Sequence, residues 1–481
     1  MKEFKNEQLK KYNFKMDTIK LFDSFAGIGS LHQALKMLGI PIELTGMSEI
    51  DVDAIISYGA VHNINTNKIL DLPTEEEMKQ YLMNRNIGFD FKTGKSKIPR
   101  LKKEKLIQCY KTSIVCNNYG DISKINYENI EDFDLFNFSF CCQDISVAGK
   151  QKGLKDENGE KTRSGLCKDG IELIKVKKPK YIMIENVKNL VGKKFINDFY
   201  DIVNEIESFG YRCNYFTNNK GQPKCLNAKD YGIPQNRERI YVVCIRNDIS
   251  LNFDFPRGFD NGIRLKDILE KEVDEKYYLD KERLNKIFQW KANQRPLEKV
   301  LGKKSISPTL TARGAGEYHS GMILLNEYFN DTTNIDKIIS ADFRYDEGLR
   351  IRKEEISPCL TCKTGGESLS SNPLIIGKNE INVVGNYSPS NHNASRIVDI
   401  EGIAPTVMEN HGTVTAINTF KIRKITPKES WRLMGFPDGC FDRAKSIGIS
   451  DTQLYKQAGN SIVVNVLYYI FKEVFKQYIS K

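Results

Sequence analysis

The sequence predicts an α/β protein: a parallel sheet covered by helices, joined to a second, irregular, strand-rich domain. Three observations carry that prediction. Strand-like apolar runs alternate with amphipathic helical stripes through residues 1–248. Over residues 249–420 long helical patterns give way to short segments broken by Gly, Pro, Ser and Asn. In residues 421–481 a broad apolar stripe returns, as expected of a C-terminal segment that rejoins the first domain.

Each element follows in order. Ile19 to Phe22 reads as a strand running into DSFAGIGS (Asp23 to Ser30), after which Leu31, Ala34, Leu35 and Leu38 form one helical stripe ending at Gly39. A second strand through Ile42 and Leu44 ends at SEID (Ser48 to Asp51). The Lys-rich stretch from Phe89 to Lys111 is expected to be a solvated surface loop. Leu135 to Phe140 is a strand that delivers Cys141 and Cys142, Tyr181 to Ile184 one that delivers Glu185 and Asn186, and Ile240 to Ile245 a further one. In open α/β sheets ligands bind outside the carboxyl ends of the strands, so these residues should converge. The second domain carries an internal echo, SISPTLTARGAGE from Ser305, EISPCLTCKTGGE from Glu355 and GIAPTVMENHGT from Gly402, which suggests a repeated unit. Ile462, Val463, Val466, Leu467, Ile470, Phe471, Val474 and Phe475 make the closing helical stripe.

Composition narrows the class. The 481 residues are 40% hydrophobic and 28% charged, enough for a core and too long for one ordinary domain. Lys plus Arg number 72 against 62 Asp plus Glu, a net charge of +10 that suits a polyanionic partner without requiring one. The charged N-terminus lacks the apolar core of a signal peptide, and no apolar run approaches the roughly 18–20 residues that cross a bilayer. A soluble, cytoplasmic protein with no membrane partner is expected. The 11 scattered cysteines argue for reduced thiols over a disulfide framework, and Cys359-x-x-Cys362 lacks a second pair, so no metal is expected.

The chemistry-bearing residues sit at the predicted strand ends. Gly27-x-Gly29 before a helix, with Glu49 about 20 residues on, has the logic of a nucleoside-binding βαβ unit: glycines permit close backbone approach and the acid accepts from ribose hydroxyls. His32 stands where a dinucleotide fingerprint has its third glycine, which disfavours a nicotinamide enzyme. Asp121, in YGDIS, is a candidate acceptor for an adenine amino group. Cys142, at a strand end before polar, Gly-rich sequence, has the makings of an exposed nucleophile, although most cysteines are buried and inert. Glu185, as a buried carboxyl beside a thiol, points to acid catalysis.

Taken together these segments resemble the C5-cytosine methyltransferases, chiefly the bacterial and phage DNA enzymes. DSFAGIGS, SEID, YGDIS, CCQDIS (from Cys141), RSGL (Arg163 to Leu166), ENV (Glu185 to Val187), LNAKDYGIPQNRER (Leu226 to Arg239), RKITPKESWRLMGFPD (Arg423 to Asp438) and QAGNSIVV (Gln457 to Val464) follow in family order. The resemblance implies a Rossmann-like methyltransferase domain using S-adenosyl-L-methionine, with residues 249–420 as a target-recognition domain. It implies that the Cys142 thiolate attacks carbon 6 of cytosine, that Glu185 holds or protonates ring nitrogen 3, and that Arg237 and Arg239 steady the base and the Glu. Phe25, Ala26, Gly27, Ile28, Gly29, Glu49, Ile50, Asp121 and Ile122 would form the cofactor pocket, with Asn460 and Ser461 approaching from the C-terminal segment. The target base must leave the duplex, and the loop from Gln143 to about Arg163 is the lid expected over it. Gln143, Ser146, Thr309, Arg313 and Thr406 are the DNA-contacting candidates. Double-stranded DNA is the expected partner of a monomer in a bacterial or phage-infected cell, alongside a cognate restriction endonuclease if the enzyme serves a restriction-modification system.

Three positions and one short run depart from the family pattern. Cys141 replaces the proline before the nucleophile, Ser30 replaces a usual glycine, Ile50 stands where an aromatic often covers adenine, and a polar run follows RSGL at 167–170. Two rival readings remain on sequence grounds: an RNA cytosine methyltransferase, disfavoured by the large inserted domain, and a DNA-binding relative impaired in catalysis by the Cys141 change.

Overall fold

The computed structural model describes residues 9–91, 93–140, 145, 164–263, 265–277 and 425–479, and the backbone of the strands lying between 341 and 424. The chain opens with β1 (Ile19–Ser24), α1 (Ser30–Leu38), β2 (Ile42–Ser48) and α2 (Val52–His62). All four residues of the predicted α1 stripe are fully buried, and Gly39 ends the helix in the left-handed conformation. Asp51 caps α2, its carboxylate accepting from the amides of Asp53 at 3.0 Å and Ala54 at 3.1 Å. Next come α3 (Glu75–Asn84), a hairpin of β3 (Phe89–Asp90) and β4 (Lys95–Ser96), and α4 (Lys103–Val115). The expected loop from Phe89 to Lys111 is therefore corrected. Its second part is helical because Leu106 and Cys109, hidden among lysines, are fully buried in the core.

Continuing, β5 (Leu135–Phe138), α5 (Cys167–Lys177), β6 (Tyr181–Val187), α6 (Ile196–Ser208), β7 (Tyr211–Tyr215), β8 (Leu226–Asn227), β9 (Gln235–Asn236) and β10 (Glu238–Arg246) complete the main sheet region. The strand order is β2-β1-β5-β6-β10-β7, with β8 pairing β10. The first four strands are parallel; β10 runs antiparallel to both β6 and β7, so the expected parallel sheet is mixed at this side. Alternate residues face opposite layers. Leu21, Met183 and Val243 enter a core shared with α1, α2 and the C-terminal helices, whereas Phe22, Ile182, Ile184 and Val242 enter one shared with α5 and α6.

Two details differ from expectation. Strand β6 continues through Glu185 and Asn186 because β10 pairs along it, with Tyr241 opposite Glu185. The same antiparallel pairing sets Cys213 of β7 opposite Cys244 of β10, with Cα atoms 4.0 Å apart, and the two form a disulfide. The expectation of reduced thiols over a disulfide framework is corrected at this pair, while Cys109, Cys116, Cys167, Cys225 and Cys440 are free thiols; strand register, invisible in cysteine spacing, is the reason.

Near the end of the chain come α7 (Pro427–Arg432), α8 (Asp438–Ser446), α9 (Asp451–Asn460) and α10 (Val464–Val474). Every residue of the closing stripe is buried, α10 packs on α1, and the Tyr468 hydroxyl donates to the Lys10 carbonyl at 2.5 Å. Between residues 341 and 424, Gly348–Ile351, Ala341–Arg344, Leu374–Asn379 and Thr419–Lys424 form a four-stranded sheet. Ser357 and Pro358, from the middle echo, pair in parallel with Gln235 and Asn236 of β9.

Candidate active site

The parallel strands bring the ends of β1, β2, β5 and β6 to one sheet edge, where open α/β sheets hold ligands. From β1 the chain enters a loop in which Phe25, Gly27 and Gly29 are left-handed, with φ of 52°, 54° and 78°. Gly29 is obligatory: an added Cβ would lie 2.1 Å from His62 Nε2. At Gly27 an added Cβ would meet nothing within 4 Å, so this backbone faces an open cradle. Phe25 and Gly27 are half-buried, whereas Ala26 and Ile28 are core residues.

Glu49, after β2, is clamped by backbone. Its Oε1 accepts from the amides of Ile50 at 2.8 Å and Asp51 at 2.7 Å, and its Oε2 from Gly27 at 2.8 Å. Burial and the neighbouring Asp51 raise its pKa above the carboxylate norm, opposed by these amides. Asn118, which sequence reasoning missed, aligns this acid: its Oδ1 accepts from Glu49 N at 3.1 Å and its Nδ2 donates to Glu49 O at 3.0 Å. Asp121 is buried, and its Oδ1 accepts from the Ser123 amide at 3.0 Å and hydroxyl at 2.8 Å. Ile122 is a core residue, and Ile50 is half-buried.

Beneath the cradle lies a polar network the sequence did not announce. Asp23 accepts from Asn137 Nδ2 at 2.6 Å and from the Tyr58 hydroxyl at 3.3 Å, and Tyr58 also meets His32 Nδ1 at 2.9 Å. Burial pushes the Asp23 carboxyl up to about 7 and the His32 imidazole down to about 3.

On β6, Glu185 is buried and stands 3.2 Å from Arg239 Nε, while its Oε1 accepts no hydrogen bond among the described residues. Burial pushes its carboxyl above the usual range; Arg239, then Arg237, pull it back. The two arginines are oriented differently. Arg237 is turned toward the C-terminal segment, its Nη2 donating to the carbonyls of Gly459 at 3.2 Å and Ser461 at 2.8 Å, while Arg239 is the one beside Glu185. Ser461 is buried, its hydroxyl donating to Gln457 O at 2.8 Å, and Asn460 is exposed at the end of α9.

Cys142, Gln143, Ser146, Thr309, Arg313 and Thr406 lie outside the described residues. The described residues on either side of Cys142 are anchored beside Glu185: Asn186 Nδ2 donates to Phe140 O at 3.1 Å and Asn189 Nδ2 to Ile145 O at 2.5 Å. Asn186 stands in the ENV segment, which does not disclose its contact, whereas Asn189 carries no sequence signal of its own that would have revealed this clamp. Among the described residues no group of His, Cys, Asp and Glu is arranged to hold a metal, and no helix is long and apolar enough to cross a membrane.

A doubly wound sheet with Glu49 after β2, Asp121 between α4 and β5, and a buried Glu on β6 is the architecture of a Rossmann-like methyltransferase. The chain belongs to the C-5 cytosine-specific DNA methylase family, whose sequence profile matches residues 74–476. It is 35% identical to the type II methyltransferase M2.ScrFI of Lactococcus lactis subsp. cremoris over 95% of this chain and 99% of that protein. It is 29% identical to the orphan methyltransferase M.SPRI of Bacillus phage SPR, over 97% of this chain and 99% of that one. It is 28% identical to the type II methyltransferase M.HhaI of Haemophilus parahaemolyticus over 73% of this chain and 78% of that protein. The chain is accordingly a DNA cytosine-5 methyltransferase.

Proposed function

We propose that this enzyme transfers a methyl group from S-adenosyl-L-methionine to carbon 5 of a cytosine flipped out of a specific short sequence in double-stranded DNA, through a covalent Cys142 adduct. The observation that carries the reading is the clamp on β6: Glu185, buried beside Arg239, is followed by two asparagines that hold the residues flanking Cys142. The cofactor fits the first half of the site. The open face of Gly27 admits a ligand against backbone, and Glu49 and Asp121 each retain acceptor capacity for a ribose hydroxyl and an adenine amino group. When bound, S-adenosylmethionine supplies an electrophilic methyl carbon.

The protein's own part is to make carbon 5 of cytosine nucleophilic. Cys142 Sγ forms a bond to carbon 6, and the electron pair displaced from the 5,6 double bond makes carbon 5 enamine-like. Glu185, whose carboxyl burial pushes above the usual range against the pull of Arg239 and Arg237, donates toward ring nitrogen 3 as negative charge develops there. Arg239 holds the Glu185 carboxyl in place, and Arg237 ties this strand to the Gly459–Ser461 turn. After transfer, loss of the carbon 5 proton and cleavage of the Sγ–carbon 6 bond restore the aromatic ring and release the thiolate. Residues 249–420 are assigned to reading the DNA sequence, with Gln143, Ser146, Thr309, Arg313 and Thr406 as contacts. The protein acts as a cytoplasmic monomer, with a restriction endonuclease as the partner if a restriction-modification system exists.

The test is base-resolution conversion sequencing of DNA from a host without cytosine methylation that expresses the protein. Protected cytosines in one recurring short sequence are expected. Uniform conversion with soluble protein present would overturn the DNA reading, and assay of cellular RNA would then separate an RNA substrate from an impaired enzyme.

A further inference from the structure

The segment between Glu49 and Asp121 contributes more to the nucleoside pocket than its ends. After α3 the chain turns through Arg85 to Gly88, and this turn is stitched to both sides of the pocket. The Asp121 amide donates to the Arg85 carbonyl at 2.9 Å, and the Gly88 amide to the Ile50 carbonyl at 2.7 Å. The approach is so close that a Cβ on Gly120 would lie 2.1 Å from the Arg85 carbonyl oxygen.

At the centre of the turn Asn86 reaches Asp121, its Nδ2 donating to Oδ2 at 2.8 Å. The amide cannot flip without loss, because Lys124 Nζ, a donor only, meets its Oδ1 at 3.0 Å. The acceptor positions of the Asp121 carboxylate can therefore be counted. A carboxylate accepts about four hydrogen bonds. Oδ1 takes two from Ser123 and Oδ2 takes one from Asn86, so one position on Oδ2 remains among the described contacts. With both oxygens held, the carboxylate cannot rotate to present a different face.

We propose that Asn86 is a positioning residue for nucleoside selection: it fixes the Asp121 carboxylate so that its remaining acceptor position favours a purine bearing a 6-amino group over one bearing a 6-oxo group. A 6-oxo purine would set a carbonyl oxygen against a group that can only accept. This rests on the reading that Asp121 receives the adenine of the cofactor.

The test is calorimetric binding of S-adenosylhomocysteine and its 6-oxo counterpart, S-inosylhomocysteine, to the cofactor-free full chain. Asn86 has a φ of 54°, so Asn86→Gly removes the side chain while keeping a backbone that glycine adopts freely. Wild type is expected to prefer the amino compound by roughly tenfold or more, as a charge-assisted hydrogen bond implies. Asn86→Gly should reduce that preference by about threefold or more, Asp121→Asn should abolish it, and the double variant should lose nothing further. Lys124→Met, which frees the Asn86 amide to flip, should reduce it too and serves if Asn86→Gly folds poorly. An unchanged preference in both Asn86→Gly and Lys124→Met overturns this inference and leaves the cofactor reading standing. Failure of wild type to bind either compound overturns the cofactor reading, and this inference with it.

Discussion

Glu185 shows how burial and charge divide the control of one carboxyl. Burial favours its neutral form, while the guanidinium 3.2 Å away favours the ionised one. The net direction is upward, so a protonated fraction persists nearer neutrality than for an exposed Glu. Because the proposed role requires a proton on Glu185, its contribution should be full at low pH and fall as pH rises through the raised pKa. Glu185→Gln keeps the shape and a donor but cannot release a proton. It should lower single-turnover methyl transfer by roughly 100- to 10,000-fold, the usual range for general acid–base catalysis. Its residual rate should also lack the wild-type decline on the alkaline side of the pH profile; a mutant with the same alkaline decline would assign that limb to another group. At this scale the sequence was informative about residue types with strong chemistry. The resemblance set Arg237 and Arg239 together beside the base and Glu185; that only Arg239 stands against Glu185, while Arg237 turns toward Gly459 and Ser461, was not legible, since it depends on a contact more than two hundred positions away. Asn86, Asn118 and Asn189 carry no chemistry of their own and became visible only through their partners.

Among the elements, the β1–α1 loop contrasts two glycines that look alike in sequence. Both have positive φ, yet Gly29 backs onto His62 and Tyr58 while Gly27 faces open space. Gly29→Ala should therefore act on folding: a Cβ 2.1 Å from His62 Nε2 must displace a buried ring, at a cost of about 2 kcal/mol or more, seen as a lowered melting temperature. Gly27→Ala should act on binding. Its strain is confined to the left-handed backbone, about 1–2 kcal/mol, and its methyl group projects into the cradle, so cofactor affinity should fall more than stability. If both variants lost only stability, the cradle would not be the cofactor site. The periodic elements were legible because one face of each is apolar; all of the α1 stripe is buried as its spacing implied. The hairpin of Phe89–Ser96 and helix α4 were not, because lysines dominate that stretch and just a few apolar side chains anchor it. Strand β6 outran its apolar run because β10 pairs with it beyond Ile184, a tertiary fact.

For the molecule as a whole, the decisive feature is that the end of the chain completes the beginning. Helix α10 packs on α1, Phe475 lies edge-on to Tyr181 of β6, and Gln457 binds Ser57 and the Asp53 carbonyl of α2. The sequence announced this return through its apolar stripe, whereas the partners of that stripe had to be seen. A truncation tests whether the C-terminal segment is an accessory or part of the first core. Removing residues 464–481 deletes the fully buried side chains of Leu467, Ile470, Phe471, Val474 and Phe475 and exposes the faces of α1 and β6 that they cover. Each such side chain contributes about 1.5–3 kcal/mol on burial, so five together approach or exceed the whole stability of a typical domain, about 5–15 kcal/mol. The truncated chain should lose its cooperative thermal transition and its cofactor binding together, even though Gly27, Glu49 and Asp121 remain in the sequence. Calorimetry showing a melting transition close to that of the full chain would mean that the first half folds alone and that α10 merely decorates it.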